Sequence, residues 1–309
     1  MPTPPPPPDP RDNSAAARLR EAARRLAAHG IDSPRSTAEI LLAFVLGCPR
    51  GELFRHLGRA LSPQEEAAFQ GLLARRLGRE PTAYLTGRRG FWTLDLEVTP
   101  EVLIPRPETE RLVEAALEVI GRAPAGCALR VLDLGCGSGA VVIALACEAP
   151  GHRYFAGDRS AAAVRLARRN AAGHGCRGRI RFFVADWAAA LRPGAAPFDL
   201  IVSNPPYIPS GRIETLQPEI ARFEPRAALD GGEDGLDAYR AILGGVWGLL
   251  APGGVLLLEI GHDQRPALER LIAAAGLPAQ VSCLPDLSGR DRVLRVLKKD
   301  LARKTTDRL

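Results

Sequence analysis

Apolar positions along the chain change their spacing three times. Over residues 15–82 they recur at helical intervals. Leu19, Ala22, Ala23 and Leu26 share one face, with Arg and Glu opposite, and Gly30 closes the element. A second helix is predicted after Ser36, carrying Ile40, Leu41, Phe44 and Val45 and ending at Gly47, and a third over Pro63–Leu77. The sum is a small all-helical domain, 15–82. From 83 to 106 the period drops to two. Trp92, Leu94, Leu96 and Val98 alternate with polar residues, Thr99-Pro100-Glu101 makes a turn, and Val102-Leu103-Ile104 returns, which predicts a β-hairpin linker. Pro105-Arg106-Pro107 then opens a helix with Glu108 and Glu110 in its first turn, where carboxylates favour the positive end of the dipole.

After residue 128, near-continuous apolar runs alternate with helical stretches. Strands are predicted at Leu129–Leu134, Arg153–Gly157, Ile180–Val184, Phe198–Ser203 and Val255–Ile260, with two more over 279–284 and 292–298. Helices are predicted near 139–149, 160–173, 237–250 and 263–275. This alternation predicts an α/β domain over 107–298, a doubly wound, mostly parallel seven-stranded sheet covered on both faces. Residues 1–14 form a Pro-rich tail that cannot build a core, and 299–309 a short C-terminal tail.

Composition narrows the class. The 309 residues are 46% hydrophobic and 25% charged, as expected of a globular protein. No apolar run reaches the roughly 18–20 residues of a membrane span, and the N-terminus lacks a hydrophobic signal core. The six cysteines, Cys48, Cys127, Cys136, Cys147, Cys176 and Cys283, form no CxxC pair and the histidines no HxxxH pair, so neither a zinc site nor a redox motif is predicted. Scattered thiols suit a reducing, cytoplasmic compartment. Residues 15–90 hold 13 Arg against 7 acidic residues, whereas 91–309 hold 27 basic and 26 acidic. The basic excess therefore lies in the helical domain. It reads either as a docking surface for an acidic or nucleic-acid-associated partner or as a solvated Arg-rich helical surface. The near-neutral remainder argues against direct nucleic-acid binding beside the α/β site.

Two segments carry chemistry. In Val131-Leu132-Asp133-Leu134-Gly135-Cys136-Gly137-Ser138-Gly139 a strand enters a glycine-rich turn that opens a helix, a shape that lets a nucleotide-like ligand approach the backbone. Asp158, at the end of the next strand, is placed to bind both hydroxyls of a ribose. With Ala140 the string also satisfies the G-x-G-x-x-A form of a dinucleotide fingerprint, so this segment alone leaves two ligand classes open. Cys136 has no basic neighbour in sequence and reads as a small residue tolerated in the turn. The second segment, Asn204-Pro205-Pro206-Tyr207, follows a strand at its carboxyl end. Two prolines remove two backbone donors and leave carbonyls free to accept. The Asn204 side-chain oxygen and the Pro205 carbonyl can then take both hydrogens of a planar NH₂ group, and Tyr207 offers an aromatic face to it.

Asp133–Gly139 with Asp158 resembles the cofactor site of class I S-adenosylmethionine-dependent methyltransferases, whose fold is Rossmann-like, and Asn204–Tyr207 resembles their NPPY signature. Val102–Glu110 (VLIPRPETE), Asp199–Ile208 (DLIVSNPPYI), Phe223–Leu229 (FEPRAAL), Gly232–Tyr239 (GEDGLDAY) and Pro252–Gly261 (PGGVLLLEIG) together resemble the peptide chain release factor glutamine methyltransferase (PrmC/HemK) family. The resemblance runs from about residue 15 to 298. It departs from the family at Cys136, where Thr is common, and in the added Pro-rich tail. It implies methyl transfer from S-adenosyl-L-methionine, without a metal, to the side-chain amide nitrogen of the glutamine in the GGQ motif of release factors. The cofactor would lie on Gly135, Cys136, Gly137, Ser138, Gly139, Asp158, Asp186 and Trp187, with Asn204 close to it. Trp187 would stack on the adenine, and Asn204, Pro205, Pro206 and Tyr207 would hold the substrate amide.

An amide nitrogen is a poor nucleophile because its lone pair is delocalised. Two acceptors on its N–H groups would push electron density back onto nitrogen and aim it, so no dedicated base is required. Other readings remain at this point: the same chemistry on a ribosomal-protein glutamine or on nucleic acid, a nicotinamide-dependent oxidoreductase using the G-x-G-x-x-A string, and a binding module with a decayed site. The oxidoreductase leaves Asn204–Tyr207 unexplained, and every motif position is intact.

Overall fold

The computed structural model describes residues 13–124, 126–192 and 197–300. The two expected tails, apart from Asn13, Ser14, Lys299 and Asp300, lie outside them. The chain divides into two compact units: one of Met1–Gly87 with Pro218–Phe223, the other of Arg88–Gln217 with Glu224–Leu309.

In the first unit, α1 (Ala15–Ala28), α2 (Pro34–Val45), α3 (Pro63–Leu77) and the short α4 (Thr82–Thr86) surround one apolar cluster. Ser14 caps α1 by accepting from Ala17 N at 3.2 Å, and Ser62 with Glu65 forms a reciprocal capping box on α3. Leu19, Ala22 and Leu26 meet Leu41 and Leu42 of α2 and Phe69 and Leu73 of α3. The second helix begins earlier than expected. Pro34 occupies its first turn, suited by its fixed φ, and Ser33 precedes it at φ 48°. Thr37, Ala38, Leu41 and Leu42 face inward, whereas Phe44, 48% exposed, lies outside. The late segment Pro218–Phe223 joins this unit through Glu219, which accepts from Arg76 at 2.8 Å and Arg79 at 3.2 Å. The guanidiniums of Arg18, Arg24, Arg35, Arg50, Arg55, Arg59 and Arg75 also hold carboxylate partners here, drawn from the acidic residues already counted, so most arginines of this unit sit in ion pairs while the net basic excess stands.

The second unit starts with a hairpin, β1 (Arg88–Phe91) against β2 (Leu94–Glu97). This corrects the expected pairing. The chain turns at Trp92-Thr93, with Trp92 at φ 56°, and Val102–Ile104 is an irregular segment, not a returning strand. That segment is held by Glu224, which accepts from Ile104 N at 3.0 Å and pairs with Arg106, so main-chain groups that a ladder would have paired are met by a carboxylate. Next come α5 (Glu110–Gly121), β3 (Arg130–Leu134), α6 (Ala140–Glu148), β4 (Arg153–Asp158), α7 (Ala161–Gly173), β5 (Ile180–Val184) and β6 (Phe198–Ser203). After α8 (Pro218–Phe223, in the first unit) follow α9 (Asp237–Val246), β7 (Leu250–Glu259), α10 (Arg265–Ala274), β8 (Ala279–Pro285) and β9 (Asp291–Lys298). Helix α9 stops four residues short of the expected 250. Leu250 is already strand, pairing with Phe198, and the register shifts before Val255 pairs beyond Gly253 at φ 75°.

The sheet order is β5-β4-β3-β6-β7-β9-β8, parallel except for β9 against β7 and β8. Successive side chains on each strand serve opposite faces. Val131, Leu200, Val202 and Leu257 pack under α5, α6 and α7, whereas Leu132, Leu134, Ile201 and Leu256 pack under α9 and α10. Strand order reverses between β3 and β6, and the loops after these two strands carry both sequence motifs to one crevice.

Asn170 of α7 ties the periphery to that crevice. Its Oδ1 accepts from Glu97 N at 2.8 Å, and its Nδ2 donates to Glu97 O at 3.0 Å and Ser138 O at 2.9 Å. Asn170 is 4% exposed, so no water replaces these bonds easily. Asn170→Ala is expected to lower stability by about 2–4 kcal/mol in urea denaturation, because it leaves buried main-chain groups unpaired. A loss below about 0.5 kcal/mol would show that the tie does not matter.

Candidate active site

Beyond β3 and β6 lies a cavity of about 760 Å³ formed wholly by the second unit. Its glycine-rich edge is shaped by three positive backbone angles: Gly135 at φ 73°, Gly137 at 53° and Gly139 at 84°. At Gly139 packing adds to the conformational demand, since a Cβ there would sit 2.8 Å from Ile143 Cδ1. The N–H groups of Gly135 and Cys136 both donate to Gly157 O, at 2.9 and 3.0 Å, and that of Gly137 to Asp158 Oδ2 at 3.0 Å. These amides are therefore spent inside the protein.

Asp133 occupies the place at the start of α6 where a phosphate would need room. Its carboxylate lies beside Val142 N in the first turn of α6, it lines the cavity, and it is 2% exposed. Burial, with Asp158 nearby, pushes it up to about 7, and Oδ2 has no partner among the described residues. Asp158 spends one lone pair of each oxygen on Gly137 N and on Ser160 N at 2.8 Å, which leaves each oxygen able to accept once more. The wall carries six carboxylates (Glu101, Asp133, Asp158, Asp186, Asp230, Asp237) against three guanidiniums (Arg106, Arg159, Arg226), of which Arg106 and Arg226 are already ion-paired. Such a site favours a cationic ligand and disfavours the pyrophosphate of a dinucleotide.

Of the expected cofactor residues, Gly135, Cys136, Gly137, Ser138, Asp158, Asp186, Trp187 and Asn204 line the cavity. Gly139 does not; it caps α6 from behind the wall. Trp187 sits at φ 45°, unusual for a bulky residue, and its ring comes within 3.5 Å of where a Gly135 Cβ would be. It also packs on the α9 side of the sheet, so it is both core and wall. Burial raises the Cys136 thiol well above its ordinary range, which suits a small packing residue and not a nucleophile.

In the second motif, Asn204 and Pro206 reach the wall, whereas Pro205 and Tyr207 do not. Tyr207 lies against the α9 face of the sheet, its phenol pushed up to about 12 by burial, so the expected aromatic platform is off the cavity wall. Its carbonyl accepts from Gln264 Nε2 at 3.0 Å. Among the described residues no donor reaches the Pro205 carbonyl. Asn204 Nδ2 donates to Thr109 Oγ1 at 3.1 Å, which leaves Asn204 Oδ1 as a free acceptor. Thr109 and Glu259 were not among the expected site residues, and Asp133 stood in the segment that resembles the cofactor site without a role of its own. The available signals were an acid inside the apolar strand of Asp133, an acid ending the run Leu256-Leu257-Leu258-Glu259, and a hydroxyl inside the PRPETE block.

Two family descriptions match: "PrmC N-terminal domain" over residues 18–87 and "Methyltransferase small domain" over 116–221. Among curated relatives, the release factor glutamine methyltransferase of Rhodospirillum rubrum is 46% identical over 87% of this chain and 81% of its own. That of Moorella thermoacetica is 43% identical over 91% of this chain and 98% of its own. Among solved structures, the hMettl16 catalytic domain in complex with a 3′UTR hairpin is 16% identical with a TM-score of 0.55, covering 74% of this chain and 81% of that one. That similarity supports the fold alone.

Burial raises both Asp133 and Glu259 to about 7. The native state thus holds more protons than the unfolded one between the ordinary carboxylate range and 7, and stability of the ligand-free protein falls as pH rises through that window. Thermal unfolding from pH 5 to 7.5 should show this fall, with a shallower slope in Asp133→Asn. An identical slope in the variant would contradict the assignment.

Proposed function

Because the chain belongs to the release factor glutamine methyltransferase family, we propose that its cavity holds S-adenosyl-L-methionine beside a substrate glutamine and that Asn204 presents an acceptor to that glutamine's side-chain amide. The protein is an S-adenosylmethionine-dependent methyltransferase that modifies the amide nitrogen (N5) of the GGQ glutamine in class-1 peptide chain release factors. Those release factors are its protein partners. Among the described residues no helix is long and apolar enough to cross a membrane. A cytoplasmic site of action is part of the proposal, supported by six free cysteines.

The residues present fit the cofactor. The unpartnered Oδ2 of buried Asp133 suits an ammonium group, the remaining lone pairs of Asp158 suit two ribose hydroxyls, and Trp187 offers a ring at the cavity wall. When bound, S-adenosyl-L-methionine supplies the electrophilic methyl group. No metal is invoked; among the described residues no cluster of His, Cys, Asp and Glu could hold one.

The observation that carries the reading is the orientation of Asn204. With Nδ2 committed to Thr109, its oxygen accepts an amide hydrogen of the substrate. That acceptor faces a nitrogen that becomes positive as the new bond forms, so it binds the transition state better than the ground state. The proton turns acidic only after attack and leaves without a fixed base. Among the described residues, the cavity wall holds no histidine.

Asn204→Ala is expected to lower kcat on intact release factor at least a hundredfold while S-adenosylhomocysteine still binds by calorimetry. Near-normal turnover by this variant would overturn the reading.

A further inference from the structure

Asn204 is one end of a buried chain of polar groups that reaches across three elements. Thr109, just before α5, is 4% exposed and accepts from Asn204 Nδ2 at 3.1 Å. Its hydroxyl also lies beside the carboxyl of Glu259, at the end of β7, which is 1% exposed. The remaining Glu259 oxygen, Oε2, has no partner among the described residues. Glu259 lies behind the wall; Thr109 and Asn204 are on it.

The chemistry of the chain has a direction. When Glu259 is ionised its carboxylate only accepts, so a hydroxyl beside it turns its single proton there. That hydroxyl then has only lone pairs to offer Asn204, and only the NH₂ end of the amide can answer. We propose that Thr109 and Glu259 are positioning residues for methyl transfer: Glu259 sets the direction of the Thr109 hydroxyl, and Thr109 locks the Asn204 oxygen toward the substrate amide. This rests on the reading of Asn204 given above. Reversed, Asn204 would turn its own NH₂ on the substrate's NH₂, donor against donor, and the nitrogen to be methylated would lose an acceptor. Arg292 and Arg106 favour the ionised form of Glu259, while its burial and Glu108 oppose it.

The packing agrees with a role in alignment. The tyrosine of α9, Tyr239, donates to the Glu259 main-chain carbonyl at 2.9 Å and fixes the end of β7. Thr109 N donates to Arg106 O at 3.1 Å, and Arg106 is held in turn by Glu224, so the hydroxyl is aimed by a braced turn.

Thr109→Val keeps the shape of the side chain and removes the hydroxyl. It should lower kcat on intact release factor about tenfold, leave S-adenosylhomocysteine affinity within twofold, and be rescued to within threefold by Thr109→Ser. Unchanged kcat in Thr109→Val overturns the proposal, and so does a loss of cofactor affinity in step with kcat, which would make Thr109 a cofactor contact. If Thr109→Val does not fold, Glu259→Gln serves. Its amide can turn a donor toward Thr109, so kcat should fall at least fivefold, and unchanged kcat again overturns the proposal. An active Asn204→Ala would defeat the reading beneath it. An inactive Asn204→Ala beside a fully active Thr109→Val would defeat the positioning claim alone.

Discussion

The hydrogen bond from Asn204 Nδ2 to Thr109 Oγ1 decides which end of an amide faces the cavity, and much of the second unit is arranged around it. Asn204 stands at the carboxyl end of β6, where the strand order reverses. Thr109 comes from a segment with no ladder of its own, held by the buried carboxylate of Glu224 at Ile104 N and at Arg106. The backbone after the NPPY motif is fixed by Gln264, which donates both to Tyr207 O and to Gly235 O, at 3.0 and 3.1 Å. Even the glycine there answers to this packing, since a Cβ on Gly235 would lie 2.5 Å from Tyr207 O. The segments that look separate in sequence are thus parts of one brace. An acceptor on the substrate amide does not work if it can swing away, because an N-methyl transfer needs the nitrogen aligned as well as electron-rich.

Electrostatics decides between the ligand classes that the glycine turn leaves open. A dinucleotide site needs free amides at the start of its helix. Here Gly135, Cys136 and Gly137 spend theirs on the end of β4, and Val142 N lies beside the Asp133 carboxylate. What remains is a buried carboxylate with an unpartnered oxygen and a second carboxylate close enough to raise it further. Such a carboxyl costs stability in the empty protein and is relieved by a positive ligand group, so part of the folding cost returns as selectivity for a cation.

Much of this architecture was legible in the sequence because it is local. Apolar runs placed β3, β5 and β6 to within a residue, and glycines at φ 73°, 53° and 84° mark a turn that few other residues would make. The misplacements have physical causes. Trp92 looked like a strand residue because Leu94 and Leu96 continue its alternation, yet it makes the hairpin turn. The second helix was expected after Ser36, yet Pro34, whose fixed φ suits a first turn, lets it begin ahead of the apolar positions that mark it. Long-range polar contacts leave no periodic trace: Glu219 joining Arg76, Glu224 capping the PRPETE segment, and Thr109 bridging Asn204 and Glu259 are visible only once distant strands are neighbours. The Arg surplus of the helical unit was legible as a sum, but the pairing of its arginines with Glu was not, and exposed pairs of this kind contribute little to stability.

The most direct test of the account is methyl transfer from labelled S-adenosyl-L-methionine to purified release factor and to its GGQ Gln→Ala variant, with mass spectrometry of the modified peptide. The account predicts label on the wild type alone, carried on the side-chain nitrogen of that glutamine. Equal labelling of the variant, or label on a different residue, would contradict it.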